Sequence, residues 1–247
     1  FKTALEVNQS IDQYWLSYMD ALIKLDRIVD AKAVFDQAKN SGAKGDGFDK
    51  LEKILSKPSP IDDEKISDKI LDKSIELRES GKYGEAINFL KNSINDFPIE
   101  PNIQSTLSHC YILNDDLENA KIYLDAAKKI NSDIPSVGWN EARFLLKQNK
   151  VNEALAVARK TYKLFPDDVE GMAVLGSCLR ANDNFDKGLK YLNKAIELNP
   201  NYAEAFINRG LISLTQNDKT NALNDLEKAY YLKPHIKQIW DLILNLK

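Results

Sequence analysis

The stretch AEAFINRGLISLTQNDKTNALNDLEKAYYLKPHI, residues 203–236, contains a pattern that returns every 34 residues toward the N-terminus. Three kinds of position keep this step. One column holds small residues, at Ala86, Ala120, Ala154, Gly188 and Ala222. A second holds turn-forming residues, at Gly81, Asp115, Asn149, Asp183 and Asn217. A third column lies near the end of each period and holds proline in four of the five, at Pro98, Pro166, Pro200 and Pro234, with Ser132 in the second period. Three columns in one register indicate tandem repeats.

Within each period, apolar residues recur at helical spacing on both sides of a short turn. In the first period they are Ile70, Leu71 and Leu77 before the turn GKYG, and Ile87, Leu90 and Ile94 after it. This spacing predicts two amphipathic helices per period. Small residues at the middle of both helices would allow them to approach closely. On the first helix this column is Ser74, Ser108, Ala142, Gly176 and Gly210.

With these columns the sequence resembles the tetratricopeptide repeat family. The family pattern has a bulky residue at position 4, a small residue at 8, an aromatic or bulky residue at 11, alanine at 20 and 27, an aromatic residue at 24 and proline at 32. The resemblance implies an all-α fold, a right-handed α–α superhelix of helical hairpins. The five tandem repeats would be residues 67–100, 101–134, 135–168, 169–202 and 203–236. The sequence departs from the family pattern at Gly138, Gly188 and Ser213.

An earlier, displaced copy covers residues 12–45. It carries Trp15, Leu22, Ala31, Phe35 and Ala38 at the same relative places. Residues 1–45 are therefore predicted to hold the end of one repeat and one full repeat. Residues 46–66 are interpreted as an insertion with a short helix and then a loop, SKPSPIDDEK. We expect this insertion to be the least regular and most mobile segment.

Both ends of the chain are predicted to fall inside repeats. Phe1 and Ala4 match positions 24 and 27 of an earlier copy, and residues 237–247 (KQIWDLILNLK) match a first helix with Trp240 at position 4. Both observations suggest a fragment of a longer protein. Because residues 237–247 are strongly apolar, we expect further chain or a second copy to pack on them, which would allow self-association.

The composition excludes several classes of partner. The net charge is −3, and phosphate neutralisation needs a basic face, so nucleic acid is not expected. No window is apolar enough for insertion into a membrane. Two cysteines, Cys110 and Cys178, are too few for a disulfide framework in a chain of 247 residues. They are interpreted as packing residues, and the expected compartment is the reducing cytoplasm.

The sequence shows none of the familiar motifs of catalysis or metal binding. Gly42, Gly45 and Gly47 are not in the order of a phosphate-binding loop and follow a helix. The two histidines, His109 and His235, lack a second ligand at helical spacing. The sequence therefore predicts no enzyme active site within this chain, no cofactor and no metal.

A binding surface is predicted instead. The resemblance implies that the first helices line a concave groove, which positions 2, 5, 9, 12 and 13 of each repeat face. From these columns the candidate partner-binding residues are Trp139, Arg143, Leu146, Arg180, His109, Ile112 and Leu211. Tryptophan and arginine dominate binding energy when desolvated. A basic and apolar lining favours an acidic segment with bulky side chains. Alternatively, Trp139 covers a neighbouring helix and the arginines pair with Glu141 or Glu170.

Three functions are compatible with this surface. The first is a scaffold that binds a peptide or protein segment in the concave groove. The second is the non-catalytic arm of a larger transferase. Residues 21–55 resemble repeat regions that precede bacterial sulfotransferase, glycosyltransferase or methyltransferase domains. The third is a self-assembling scaffold that uses residues 237–247.

Overall fold

The computed structural model describes residues 12–25, 27–55, 60–96 and 100–247, and all regular secondary structure in these residues is helical. The helices of the N-terminal part are α1 (Asp12–Lys24), α2 (Ile28–Asn40) and α3 (Asp46–Leu55). The next six are α4 (Pro60–Glu79), α5 (Tyr83–Asp96), α6 (Pro101–Leu113), α7 (Leu117–Ile130), α8 (Pro135–Lys147) and α9 (Val151–Leu164). The last five are α10 (Val169–Ala181), α11 (Phe185–Leu198), α12 (Ala203–Thr215), α13 (Lys219–Leu232) and α14 (Lys237–Leu246).

The chain divides into two compact units, Phe1–Asp68 and Lys69–Lys247. In the first unit, α1 and α2 form a hairpin around Trp15, Met19 and Phe35. Helix α3 packs on this hairpin, because Phe48 is buried with its ring centroid 6.1 Å from that of Phe35. The first part of the predicted insertion is therefore an ordered amphipathic helix. The matches predicted for Phe1 and Ala4 lie outside the described residues.

The predicted loop after α3 is shorter than expected. Helix α4 begins at Pro60, so residues 60–65 of the segment SKPSPIDDEK are helical. Proline is favoured at the first position of a helix, because its φ angle is already helical and its missing N–H needs no partner there. Residues 56–59 lie outside the described part.

In the second unit, helices α4 to α13 form five successive hairpins, and α14 follows them. The hairpins stack into a right-handed superhelix, as the sequence predicted. Members of both small-residue columns, including Ser74, Ala120 and Ala142, are fully buried. Ser108 also donates a hydrogen bond from Oγ to the carbonyl oxygen of Ala120 at 2.8 Å, across the second hairpin. The columns of small residues thus lie where paired helices touch.

The backbone conformation of the turns explains which residue types occupy the turn column. Its members all have positive φ angles: Gly81 at 75°, Asp115 at 61°, Asn149 at 58°, Asp183 at 55° and Asn217 at 60°. Glycine, asparagine and aspartate are the residues that tolerate this left-handed region best. Each hairpin turn therefore requires one of these three residue types, which explains the 34-residue recurrence.

Candidate functional site

The concave face of the second unit is lined by charged side chains that already have partners. Arg143 lies 2.6 Å from Glu170 of the next repeat and donates a second hydrogen bond to Asn140 at 3.1 Å. Lys233 lies 2.6 Å from Glu79 and 2.6 Å from Glu204. The Arg143 pair joins adjacent repeats, the Glu204 pair lies within the fifth repeat, and the Glu79 pair joins the fifth repeat to the first. The inner face is therefore a network of ion pairs.

The pKa values on this face follow from burial opposed by ion pairing. Burial alone would lower the pKa of Arg143, but the attraction of Glu170 outweighs it and the net shift is upward. Lys233 behaves in the same way, because Glu204 and Glu79 raise its pKa by more than burial lowers it. Burial raises the pKa of Glu204, whereas Lys233, a backbone hydrogen bond and Arg143 together lower it by more. All three groups are therefore held in their charged forms.

His109 is the neutral member of this network. Its pKa is well below the ordinary value, first because the ring is buried and second because Arg143 and Arg78 are positive. Arg78 Nη1 lies 3.1 Å from His109 Nδ1. Since a guanidinium can only donate, Nδ1 is the acceptor and the ring proton is on Nε2.

Arg180 differs from the other arginines of the concave face. Its Nε donates to Asn208 Oδ1 at 3.1 Å, but no carboxylate among the described residues forms an ion pair with it. Burial lowers its pKa by more than the neighbouring Cys178 raises it, and no carboxylate in the described ranges opposes that shift. Its positive charge is therefore half-buried and uncompensated, which is a costly arrangement in the absence of a ligand.

A cavity of about 70 Å³ is lined in part by Asn208, the hydrogen-bond partner of Arg180. Leu146, Ala173 and Val174 supply its apolar wall, and Arg143, Ser177, Glu204 and Asn208 supply its polar wall. Arg180 is not part of this lining and is connected to it through its hydrogen bond to Asn208. The structure thus places two of the predicted site residues, Arg143 and Leu146, in the cavity wall.

The other predicted site residues lie elsewhere or below the surface. Trp139 is fully buried and donates its indole N–H to Asp168 Oδ2 at 2.7 Å. Its ring fills the space over Gly171, where a Cβ atom could not be accommodated. Trp139 therefore covers a neighbouring helix, as the alternative interpretation of the sequence proposed. Because its side chain is fully buried, it cannot contact a partner. Ile112 is also buried in the core, and Leu211 is half-buried.

Five charged residues of the network were not among the predicted site residues: Arg78, Glu79, Glu170, Glu204 and Lys233. Glu170 and Glu204 occupy position 2 of their repeats, a position that the family resemblance assigns to the groove. Reading that column would have identified them. Lys233 follows α13 and has no such signal, because its contact with Glu79 depends on how far the superhelix curves.

The described residues contain no group of three or more histidine, cysteine, aspartate or glutamate side chains that could hold a metal ion. Within the same residues, no helix is both long and apolar enough to cross a membrane. Cys110 and Cys178 are buried and form no disulfide. Burial raises the pKa of Cys110 to about 11 and that of Cys178 to about 12, so both remain protonated thiols at neutral pH.

Two family models, each described as a tetratricopeptide repeat, match residues 77–136 and residues 140–202 and 179–236. The chain belongs to the tetratricopeptide repeat family. It is also similar to two solved structures that share its fold. A repeat protein of Thermus thermophilus is 14% identical, with a TM-score of 0.61, over 72% of this chain and 97% of that one. A repeat protein of Parabacteroides merdae is 13% identical, with a TM-score of 0.59, over 99% and 89%.

Two glycosyltransferases also match in sequence. UDP-N-acetylglucosamine–peptide N-acetylglucosaminyltransferase of Giardia intestinalis is 32% identical over 41% of this chain and 8% of its own length. Protein O-mannosyl-transferase TMTC3 of Homo sapiens is 24% identical over 69% of this chain and 19% of its own length. The chain therefore spans less than a fifth of the length of either relative.

Proposed function

We propose that this repeat array is a protein-interaction scaffold whose concave face binds an acidic segment of another protein. Tetratricopeptide repeats are interaction scaffolds as a class, and the acidic segment is our specific proposal. The observation that supports it is the half-buried guanidinium of Arg180, which lacks a carboxylate among the described residues. A carboxylate from a partner would complete this pair, because a charge-assisted bidentate bond to arginine is among the strongest polar contacts.

The neighbouring cavity favours bulky side chains in the same segment. Leu146 and Val174 line it, and both are partly or fully buried, so an apolar side chain would enter an apolar surface there. Arg143 serves a different purpose, because Glu170 already neutralises it. Arg180 is thus the proposed anchor, and Arg143 is a structural residue that shapes the cavity.

Fluorescence anisotropy with a labelled peptide of alternating glutamate and phenylalanine tests this proposal. We expect binding to the wild type and a loss of about 2 kcal/mol, roughly thirtyfold in Kd, for Arg180→Ala. Arg159→Ala is the matched control, because Arg159 is an exposed arginine on a second helix. A lysine–phenylalanine peptide controls for charge. Equal affinities of the two variants would place the binding site elsewhere.

A second candidate is the non-catalytic arm of a larger glycosyltransferase. It is favoured by the two sequence relatives, both of which are glycosyltransferases by name. The test is to read the gene on both sides of this segment. A transferase domain in the same reading frame would support the arm, and an unrelated domain would contradict it. The two candidates are compatible, because such an arm could bind acceptor proteins.

Self-assembly through residues 237–247 remains a third proposal. Helix α14 buries Ile239 and Ile243 in the core, whereas Trp240 and Leu244 on its other face are 42% and 55% exposed. Light scattering of the purified chain over a range of concentrations tests it. A monomeric mass at all concentrations would exclude self-assembly.

For the cellular location of the protein we retain the cytoplasm as a proposal, based on the two buried, free thiols.

A further inference from the structure

The first and fifth repeats of the second unit touch each other across the concave face. Glu79 ends α4 in the first repeat, and Lys233 caps α13 in the fifth. Lys233 Nζ lies 2.6 Å from Glu79 Oε2, and the lysine side chain is only 11% exposed. The same nitrogen also lies 2.6 Å from Glu204. Lys233 therefore joins the two ends of the five-repeat array through one ammonium group.

A second contact lies beside the first. Tyr83 Oη lies 3.4 Å from His235 Nε2, and the two residues are 152 positions apart in the sequence. Their rings pack edge to face, with centroids 6.2 Å apart and an interplanar angle of 77°. The closing contact thus combines an ion pair with an aromatic pair, which is more specific than an isolated surface ion pair.

Gly81 adds independent support from the sequence pattern. Its column contains aspartate or asparagine in the other four repeats and glycine in this one. A Cβ atom at Gly81 would lie 2.5 Å from the Cδ2 atom of His235. The turn conformation alone would accept asparagine, as it does at Asn149 and Asn217. Glycine is needed here because His235 of the last repeat lies against the turn.

The ion pairs of the concave face indicate how an acidic ligand could compete with the contact between Glu79 and Lys233. On the concave face, Arg78, Arg143 and Lys233 face the carboxylates of Glu79, Glu170 and Glu204, so these six side chains neutralise one another and Arg180 remains without a carboxylate partner among the described residues. The three carboxylates are similarly exposed, at 40% for Glu79, 36% for Glu204 and 34% for Glu170. Glu204 belongs to the same repeat as Lys233, whereas Glu79 reaches Lys233 from the first repeat. Glu79 is therefore the carboxylate that an incoming acidic group can replace at Lys233 when the first and fifth repeats separate.

We propose that the contact of Glu79 and Gly81 with Lys233 and His235 is a latch that closes the concave face, and that an acidic segment opens it by replacing Glu79 at Lys233. This inference rests on the proposed function for the identity of the ligand. It adds Lys233 as a ligand-binding residue in the open form. Glu204 stays with Lys233 in both forms and holds the ammonium group in place.

The latch can be tested without a ligand. Spin labels at Asn88→Cys in α5 of the first repeat and at Gln238→Cys in α14, the helix that follows the fifth repeat, occupy exposed positions. The native Cys110 and Cys178 are fully buried, and labelling of the wild type checks that they do not react. Pulsed electron paramagnetic resonance then measures the distance across the latch in the native chain.

Two variants open the latch by different means. Glu79→Gln removes the charge and keeps the shape, whereas Gly81→Asn keeps the charge and places a side chain against His235. Asparagine already occupies this turn position in two other repeats, so the hairpin itself accommodates it. Glu76→Gln is the control, because Glu76 lies on the same helix and pairs with Lys73 in solvent. We expect longer distances in both latch variants and an unchanged distance in the control.

The glutamate–phenylalanine peptide supplies the functional readout. We expect both latch variants to bind it about three- to tenfold more tightly than the wild type, and the peptide to lengthen the wild-type distance. Unchanged distances in both variants would overturn the latch. Longer distances with wild-type affinity would overturn its control of binding. If no form binds the peptide, release by an acidic segment fails together with the proposed function, while the distances alone still decide whether the ends are closed.

Discussion

Arg143 and Glu170 lie 2.6 Å apart, on the first helices of the third and fourth repeats. Removing the arginine would leave a carboxylate without its partner on a crowded inner face, whereas removing Arg180 would leave no carboxylate behind. We therefore expect Arg143→Ala to lower the free energy of unfolding by about 1–3 kcal/mol. Arg180→Ala should change it by less than about 0.5 kcal/mol. Urea denaturation of the two variants measures both values, and an equal loss would contradict this assignment of roles.

The small-residue columns should not tolerate larger side chains. Ala154 is fully buried between the two helices of the third hairpin, so Ala154→Leu should lower stability by about 1–3 kcal/mol through overpacking. Glu153→Leu is the matched control, because its neighbouring position is exposed. Thermal unfolding followed by circular dichroism provides the measurement. If the two leucine variants melted together, the assigned register of α9 would be incorrect.

The turn column predicts a graded response to substitution. Asn149 has a φ angle of 58°, which a β-branched residue adopts only with strain. Asn149→Val should therefore destabilise the protein by about 1–2 kcal/mol, whereas Asn149→Gly should be close to neutral. Chemical denaturation measures the free energy of unfolding of both variants. A valine variant as stable as the glycine variant would show that the turn can adopt another conformation.

Thiol reactivity should report on folding. Burial raises the pKa of Cys178 to about 12 from an ordinary value of 9.0, so at pH 8 the folded protein contains far less thiolate than the unfolded chain. Only the thiolate attacks a disulfide reagent. We expect both cysteines to react at least about a hundredfold faster in denaturant than in buffer. Rapid reaction of one thiol in the native state would indicate local opening around that cysteine.

The repeat architecture could be predicted because its determinants are local. The small residues and the turn residues act within one hairpin, and a 34-residue step makes them visible without any knowledge of long-range contacts. The start of α4 at Pro60 was missed because a proline-rich stretch is typical of a loop and also of a helix beginning.

The candidate site was harder to predict, because burial depends on neighbours in other repeats. Trp139 occupies a groove column by position, yet Gly171 of the next repeat leaves room for its ring, and the indole turns inward to Asp168. The pairing of Arg143 with Glu170 was predicted from the sequence only as an alternative to partner binding. The contact between Glu79 and Lys233 could not be foreseen, since it depends on the accumulated curvature of five hairpins.

The contact between the first and last repeats also changes how the array should unfold. In a linear array the terminal repeats have one neighbour each, so they fray before the centre melts. Here Lys233 and His235 add a contact between the first and fifth repeats to the packing of α14 on the fifth. Fraying at either end then has to break the Glu79 and Tyr83 contacts as well. Five repeats joined end to end in this way gain cooperativity that the same repeats in an open row would lack.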